Sequence, residues 1–255
     1  MPLNSDIYLV GLGLYGLRQL TIETAEALRS ATALYHFTEK QDELYSFNSR
    51  VHDMRSLYHS LSDHPDVYAA IAAKLIDLSK DQHPIAIAFD GNPMLYSSVA
   101  WQVAAQGAEA NLRVEALAGI STFDVLPIQL GFDPGDLGMQ TLESTAMVQY
   151  GLELNPYLST LLLQIGHFNA APGLPPPPRA EGAYAPLVHH LLRYFPPGHP
   201  AIFIQSASSA DAPTLTLTTE VATIDEVRDQ IQSGMTLYLP RVSMPPVAEV
   251  GIHQS

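Results

Sequence analysis

Short apolar runs alternate with amphipathic stretches along most of the chain. Ile7–Val10 is apolar throughout and ends at Gly11, which is typical of a buried strand. Thr21 then has the character of a helix N-cap, because acidic residues follow in the first turns and apolar residues recur at helical spacing. The alternation continues with predicted strands at Ala33–Phe37, Pro84–Phe89 and Arg113–Leu117, a loop over 49–65, and predicted helices at Asp66–Leu78, Leu95–Gln106 and Ser121–Leu130.

The second half of the chain carries more turn and strand signals. The Pro-rich run Pro172–Arg179 interrupts the pattern with extended, polyproline-like chain. Around it we predict strands at Leu161–Ile165, Ala201–Gln205, Thr214–Thr218 and Thr236–Leu239, and helices at Leu187–Tyr194 and Ile224–Ile231. The pattern predicts an α/β protein of two domains, residues 1–131 with a mostly parallel sheet and flanking helices, and residues 132–255 with a mixed sheet.

Composition narrows the classes of function. The 255 residues include 12 basic and 26 acidic side chains, a net charge of −14, which argues against nucleic acid as a partner. No apolar run reaches the roughly 20 residues of a membrane span, and the N-terminus lacks the basic region of a signal peptide, so we expect a cytoplasmic protein. Cys is absent and the ten His residues lack metal-ligand spacing, so we expect no metal site.

A glycine-rich loop follows the first predicted strand. Gly11, Gly13 and Gly16 form a GxGxxG pattern, which is typical of dinucleotide-binding folds. Two details disfavour that interpretation: the helix begins only at Thr21, and Glu39 is too late to be the acidic ribose ligand. The loop therefore either binds a nicotinamide dinucleotide, serves chain geometry alone, or belongs to another cofactor-binding fold.

Three motifs in order favour the last interpretation. The first is VGLGLYGLRQLTIETAEALRSATALY, the second IAFDGNPMLY after a strand, and the third AGIS after the next strand. Their order and spacing resemble the tetrapyrrole methylase family. The resemblance implies an S-adenosylmethionine-dependent methyltransferase of two α/β domains, with the cofactor in the cleft between them and S-adenosylhomocysteine as product.

The following residues narrow the resemblance to one branch. GISTFDVLPIQLGFDPGDLGMQTLESTAM and then LLLQIGHF are similar to the borosin methyltransferases, which methylate backbone amides of ribosomally made peptides. No fused substrate tail is evident after PPVAEVGI. The resemblance therefore implies a separate precursor peptide, with a homodimer or a heterotetramer containing two precursor chains, and no nucleic acid or membrane partner.

The resemblance also assigns residues to the cofactor. The implied cofactor-binding positions are Gly11, Gly13, Asp90, Gly91, Asn92, Leu95, Tyr96, Ser121, Thr122 and Gln164. Taken without the resemblance, Leu95 and Tyr96 would be helix core, and Ser121 would be a helix N-cap.

The implied catalytic residues are Tyr58, His64, Tyr68 and Asp90. An amide nitrogen is a poor nucleophile, so its methylation needs a base or a group that stabilises the developing oxyanion. Tyr58 and Tyr68 match two tyrosines of the branch, but His64 stands where the branch has Arg, and Asp90 where it has Tyr. His64 is equally compatible with a solvated loop residue.

These departures leave alternatives open. The site performs the same amide methylation with altered groups, or methylates a different nucleophile, or is catalytically weak. A methyltransferase for a tetrapyrrole or another small molecule is the competing enzyme. A protein that binds cofactor or peptide without turnover is the competing non-enzymatic function. A nicotinamide oxidoreductase is a further, less favoured alternative.

Overall fold

The computed structural model describes residues 4–61, 66–170, 179–207 and 212–244. His64 and, apart from Arg179, the Pro-rich run therefore lie outside the described residues. The chain divides into two compact units. Of the described residues, the first unit contains 4–131, 170, 206–207 and 212–214, and the second unit contains 132–169, 179–205 and 215–244.

The first unit is built on a parallel sheet. Its described strands are β1 (Ile7–Gly11), β2 (Ala33–His36), β3 (Val51–Asp53), β4 (Ile85–Phe89) and β5 (Val114–Leu117). They run parallel to their neighbours in the order β3-β2-β4-β1-β5. The helices are α1 (Ile22–Ser30), α2 (Gln41–Leu44), α3 (Leu57–Ser60), α4 (Val67–Asp81), α5 (Ser98–Glu109) and α6 (Thr122–Leu130), with a 3-10 turn at Gly16–Gln19.

Side-chain caps set where the longer helices of this unit begin. Thr21 Oγ1 accepts a hydrogen bond from the backbone N–H three residues later, at 3.0 Å, and Asp66 and Ser97 cap α4 and α5 in the same way. Each cap satisfies an amide that the helix itself leaves without an acceptor. The prediction that Thr21 opens a helix is therefore confirmed.

The prediction of a loop over 49–65 is wrong in part. Val51–Asp53 pairs in parallel with β2 as the edge strand of the sheet, and Leu57–Ser60 forms one helical turn. The strand has three residues and is partly exposed, so it carries too little apolar alternation to be recognised. Helix α5 begins at Ser98 rather than at Leu95, because Tyr96 adopts a left-handed φ of 54° that no helix accommodates.

The second unit contains a mixed sheet. Its described strands are β6 (Met139–Glu143), β7 (Ser159–Leu163), β8 (Pro200–Gln205), β9 (Leu215–Glu220) and β10 (Thr236–Leu239), in the order β6-β7-β10-β8-β9. The β6–β7 pair is parallel and the other pairs are antiparallel. The helices are α7 (Pro134–Leu137), α8 (Ser144–Gln149) and α9 (Ala185–Leu191), with 3-10 segments at Ile165–His167 and Val221–Gln230.

These elements refine the predictions for the second half. The mixed sheet is as predicted, and the last strand has the predicted bounds. Strand β6 was not predicted, because Met-Gln-Thr-Leu-Glu has little apolar character and is partly exposed along its length. Strand β7 ends two residues earlier than predicted, since Gln164 adopts a left-handed φ of 57°.

Three glycine backbones pack together at the carboxyl ends of β1, β4 and β5. A methyl group added at Gly11 would lie 2.5 Å from the carbonyl oxygen of Gly91 and 2.6 Å from the nitrogen of Gly119. A methyl group at Gly119 would overlap the same Gly91 oxygen and lie 2.8 Å from the carbonyl carbon of Gly11. The loops that follow these strands therefore approach each other as closely as backbone allows.

We expect Gly119→Ala to lower the free energy of unfolding by about 2 kcal/mol, because the added methyl must displace backbone rather than a movable side chain. The measurement is urea unfolding. Gly198→Ala is the control, since its methyl would meet Glu220 only at ordinary contact distance, 3.7 Å, and should change the stability by less than about 0.5 kcal/mol. Equal stabilities of the two variants would contradict the close packing.

Candidate functional site

The carboxyl ends of the parallel strands form the candidate site. Strands β1 and β4 are neighbours in the sheet. The connection after β1 passes β4 to reach β2, and the connection after β4 runs in the opposite direction, past β1, to reach β5. The direction of the connections therefore reverses between β1 and β4. In open parallel sheets, ligands bind in the crevice that such a reversal creates. The loops bordering this crevice start at Gly11 and at Asp90.

The backbone N–H groups of the glycine loop bind other parts of the chain. Gly13 and Gly91 exchange hydrogen bonds, at 3.3 Å from Gly13 N and 3.0 Å from Gly91 N. Gln19 Oε1 accepts from the N–H groups of Leu14 and Tyr15, at 2.7 and 2.8 Å. A Glu43 carboxylate oxygen accepts from the N–H of Leu17 at 2.9 Å. These donors are not directed at a pyrophosphate, which disfavours the dinucleotide interpretation.

The predicted cofactor residues divide between the two units. Those at the carboxyl ends of β1, β4 and β5 in the first unit are Gly11, Gly13, Asp90, Gly91, Asn92, Leu95, Tyr96, Ser121 and Thr122. Asn92 Oδ1 accepts from the N–H of Met94 at 3.0 Å, which shapes the turn after β4. Gln164 lies in the second unit, exposed, directly after β7.

The structure decides between two interpretations of Leu95 and Tyr96. Both precede α5, and they are 38% and 46% exposed, so the helix-core alternative is wrong for both. The Tyr96 ring lies 6.3 Å from that of Phe123, at the start of α6. An exposed apolar surface therefore borders the carboxyl end of β4.

Ser121 has the structural role that its sequence context suggests. Its backbone N–H and its hydroxyl both donate to Asp124 Oδ2, at 2.6 and 2.7 Å. The pair forms a capping arrangement at the start of α6. Since the hydroxyl proton is used within the helix cap, Ser121 can act towards a ligand only as a hydrogen-bond acceptor.

Four aromatic side chains form a cluster beside the carboxyl ends of β2 and β4. Phe37 and Phe89 stack with ring centres 5.3 Å apart, Tyr58 lies edge-on to Phe37 at 5.6 Å, and Tyr68 lies edge-on to Tyr58 at 6.3 Å. Tyr58 comes from α3 and Tyr68 from α4. The structure thus brings the two predicted tyrosines together and links them through Phe37 to the end of β4.

Burial disfavours the ionised form of the Tyr58 phenol. Desolvation, together with the neighbouring Tyr68, raises the pKa of the Tyr58 phenol to about 12. Near neutral pH the group is therefore a neutral phenol that can donate its proton in a hydrogen bond. This property fits a group that stabilises a developing oxyanion better than it fits a base.

Asp90 is paired with two residues that sequence reasoning missed. Its Oδ1 accepts from the hydroxyl of Thr38 at 2.8 Å and from the ammonium of Lys40 at 2.7 Å. The separation of about fifty residues hides these contacts in the sequence. The parallel register of β2 and β4 could have indicated these contacts. It pairs His36 with Ala88, and the same register two residues further on places Thr38 beside Asp90.

An arginine also lies near this edge. Arg55 follows β3 and makes paired hydrogen bonds to the carboxylate of Asp53, the shortest at 2.7 Å. This contact lowers the pKa of Asp53 to about 2, and it also raises the pKa of Arg55, to which the charges of Glu39 and Asp90 add. His64, the residue predicted at the arginine position of the branch, lies outside the described residues.

Two further sequence expectations concern metals and membranes. In the described ranges, no three His, Asp or Glu side chains are grouped so that they could hold a metal ion. None of the helices in the described part of the chain is long and apolar enough to cross a membrane.

Comparison with known proteins identifies the family. Residues 6–223 match the family model described as tetrapyrrole (corrin/porphyrin) methylases. The chain belongs to the tetrapyrrole methylase family. The resemblance carried by the three sequence motifs is therefore confirmed.

A curated protein and two solved structures illustrate the family relationship. A methyltransferase/ribosomally synthesised type I borosin cyclic peptide precursor of Coprinopsis marcescibilis is 22% identical over 259 residues, covering 99% of this chain. The chain spans 66% of that relative's length, slightly less than two thirds. Uroporphyrin-III C-methyltransferase from Thermus thermophilus matches with a TM-score of 0.64 at 19% identity, over 92% of this chain and 94% of that chain.

A second structure of the Thermus thermophilus enzyme, complexed with S-adenosyl homocysteine, gives a TM-score of 0.63 at 14% identity, over 91% of this chain and 96% of that chain. These likenesses confirm the predicted fold class, an α/β architecture with a parallel sheet in one unit and a mixed sheet in the other.

The raised pKa of Tyr58 predicts a loss of stability in alkali. Between about pH 10 and 12 the unfolded chain releases the phenol proton while the folded chain keeps it, so the free energy of unfolding falls as pH rises. We expect Tyr58→Phe to remove a fall on the order of 2 kcal/mol over this range, measured as the difference between wild type and variant in urea unfolding. Parallel pH profiles for the two proteins would contradict the assignment.

Proposed function

We propose that this protein is an S-adenosylmethionine-dependent methyltransferase that releases S-adenosylhomocysteine. Family membership supports the reaction class, and a solved protein of the same fold is complexed with S-adenosyl homocysteine. The reversal of strand connections between β1 and β4 supports the location at the carboxyl ends of the first sheet.

The residues at this edge fit such a cofactor. Leu95, Tyr96 and Ile120 expose apolar surface after β4 and β5, which suits the adenine ring, while the polar side chain of Asn92 suits the amino acid portion. Gly91, with a φ of 70°, makes the turn beside Asp90. When bound, the cofactor supplies an activated methyl group, and the protein's task is to orient the acceptor and exclude water.

For the acceptor, we propose backbone amide nitrogens of a separate, ribosomally made peptide. The observation that carries this proposal is the aromatic cluster, which places the phenols of Tyr58 and Tyr68 beside each other near the end of β4. As the methyl group passes from the sulfonium to the nitrogen, the amide N–H proton must pass to a base, and negative charge develops on the amide oxygen. A neutral phenol that donates a hydrogen bond to this oxygen lowers the barrier. The curated relative, named as a methyltransferase/ribosomally synthesised type I borosin cyclic peptide precursor, supports a peptide acceptor.

His64, from the α3–α4 connection, is proposed as the third catalytic residue, a base or weak donor, and Asp90 as the fourth. We further propose a homodimer, or a heterotetramer with two precursor chains. Exposed apolar side chains support such an assembly, since Ile22 and Ile128 are each 81% exposed and Trp101 is 59% exposed.

A tetrapyrrole or other small-molecule acceptor is the second candidate. The observation that favours it is the structural likeness to uroporphyrin-III C-methyltransferase. A mass-spectrometric assay in which a porphyrin precursor gains methyl groups while peptides gain none would select this candidate. A protein that binds the cofactor but methylates neither class would match the non-catalytic alternative.

Isothermal titration calorimetry tests the cofactor. We expect saturable binding of S-adenosylmethionine and S-adenosylhomocysteine and no binding of NAD, because the amide donors of the glycine loop are already bound to Gly91, Gln19 and Glu43. Tight binding of NAD without a response to the other two ligands would overturn the proposal.

Peptide methylation tests the chemistry. We expect Tyr58→Phe to slow methyl transfer by about a hundredfold, the loss expected for one oxyanion donor, with unchanged affinity for S-adenosylhomocysteine. Tyr68→Phe should slow it as well. Mass spectrometry of short synthetic peptides measures the gain of methyl groups. Tyr150→Phe is the control, because that side chain is 72% exposed in the second unit. Wild-type rates in Tyr58→Phe would remove this phenol from the mechanism.

A further inference from the structure

The partners of Asp90 belong to a segment that continues strand β2. Ala33 to His36 pair in parallel with Ile85 to Ala88, and the next residue, Phe37, donates its N–H to the carbonyl of Ala88 at 3.1 Å. Residues 37–40 therefore run beside the carboxyl end of β4. This path brings Phe37 against Phe89, and Thr38 and Lys40 against Asp90.

Hydrogen bonds hold this segment in place. Thr38 is fully buried; its hydroxyl donates to Asp90 and accepts from the N–H of Lys40 at 3.1 Å. The carbonyl of Thr38 accepts from Nδ1 of the buried His36 at 3.0 Å. The side chain and the carbonyl of Thr38 are thus both held by hydrogen bonds, which orients the hydroxyl that donates to Asp90.

In the Lys40–Asp90 ion pair, the lysine side chain is more buried than the aspartate side chain. The Lys40 side chain is 17% exposed, whereas that of Asp90 is 46% exposed. By contrast, Lys80 and Asp77 on α4 form an ion pair of the same length with 60% and 72% exposure, which is typical of a solvated pair. Lysine is seldom buried to this degree without a specific partner. Lys40 therefore contacts Asp90 from the protein side, and the carboxylate faces outward.

The charge of this pair indicates what it can bind. Oδ1 of Asp90 accepts both hydrogen bonds, and within the described residues Oδ2 accepts none. Because an ammonium lies 2.7 Å from the carboxylate, the pair as a whole is neutral and gives little net attraction for a cation. Oδ2 of Asp90 can therefore accept a hydrogen bond, which suits a neutral N–H donor.

We infer that Lys40, with Thr38, is a positioning residue that holds the Asp90 carboxylate so that Oδ2 accepts a hydrogen bond from a backbone N–H of the acceptor peptide. The inference rests on the proposed function and specifies one contact between the protein and the acceptor peptide. The aromatic cluster supports the assignment to the acceptor, because Phe37 and Phe89 join the Asp90 pair to Tyr58. Lys40 acts through Asp90 and does not itself touch the acceptor.

The test compares Lys40 variants in steady-state peptide methylation. The probe is the member of a library of short synthetic peptides that the wild type methylates fastest. We expect Lys40→Met to raise KM for this peptide about tenfold, with kcat changed less than about threefold, since an orienting contact acts on bound substrate and transition state alike. Lys40→Arg should restore KM to within about threefold of wild type. The Kd of S-adenosylhomocysteine should stay within about twofold.

Two controls separate positioning from a general effect on structure. Lys80→Met removes the solvated ion pair on α4 and should leave KM unchanged. Asp90→Ala should raise KM as Lys40→Met does, and the double variant should raise it no further, because Lys40 acts only through Asp90. Circular dichroism verifies that each variant is folded.

Several results would overturn the inference. One is a KM for Lys40→Met equal to that of Lys80→Met, and another is additive effects of the Lys40 and Asp90 substitutions. A loss of S-adenosylhomocysteine affinity as large as the rise in KM would assign the pair to the cofactor instead. In these cases the wild type remains active, so the proposed function survives. A wild type that binds S-adenosylhomocysteine but methylates no peptide overturns the proposed acceptor, and the inference with it.

Discussion

Direct backbone packing between Gly11, Gly91 and Gly119 is the constraint on which the candidate site depends. A side chain at Gly11 or Gly119 would have to displace the loop after β4. Because Gly13 and Gly91 also exchange backbone hydrogen bonds, the turn that begins at Asp90 is held beside the glycine loop. Apart from Asp90, which we assign to the acceptor, the residues predicted to bind the cofactor in the first unit lie at or directly after the ends of these three strands.

Beside this rigid centre, the proposed acceptor surface is made of groups whose charge is suppressed or compensated. The Tyr58 phenol is neutral near neutral pH, burial disfavours its ionised form further, and Lys40 compensates the charge of Asp90. An amide is neutral both before and after methylation, so unpaired charges would bind water or cations more strongly than the acceptor. Phenol donors and a neutral ion pair favour an acceptor that becomes polarised only during the reaction.

Local signals in the sequence were sufficient for the longer elements. Thr21 caps α1 as predicted, and the apolar runs of β1 and β4 have nearly their predicted bounds. Elements without a strong pattern were missed, as β3 shows, because a short edge strand is stabilised by pairing with β2 and not by its own apolar residues. For Leu95 and Tyr96, the resemblance predicted positions near the cofactor, whereas periodicity alone would have placed them in a helix core; the structure shows both exposed before α5.

The sequence by itself determined the α/β class, the two kinds of sheet and the family, because periodicity, capping and the order of glycine motifs are local properties. Only the tertiary structure decided what the glycines and charges do. It showed that Gly11 serves close backbone packing, that the donors of the glycine loop bind Gln19 and Glu43, and that Lys40 pairs with Asp90. Apart from those of Gln19, these contacts join residues far apart in the chain, and they depend on strand order and register, which no local pattern encodes.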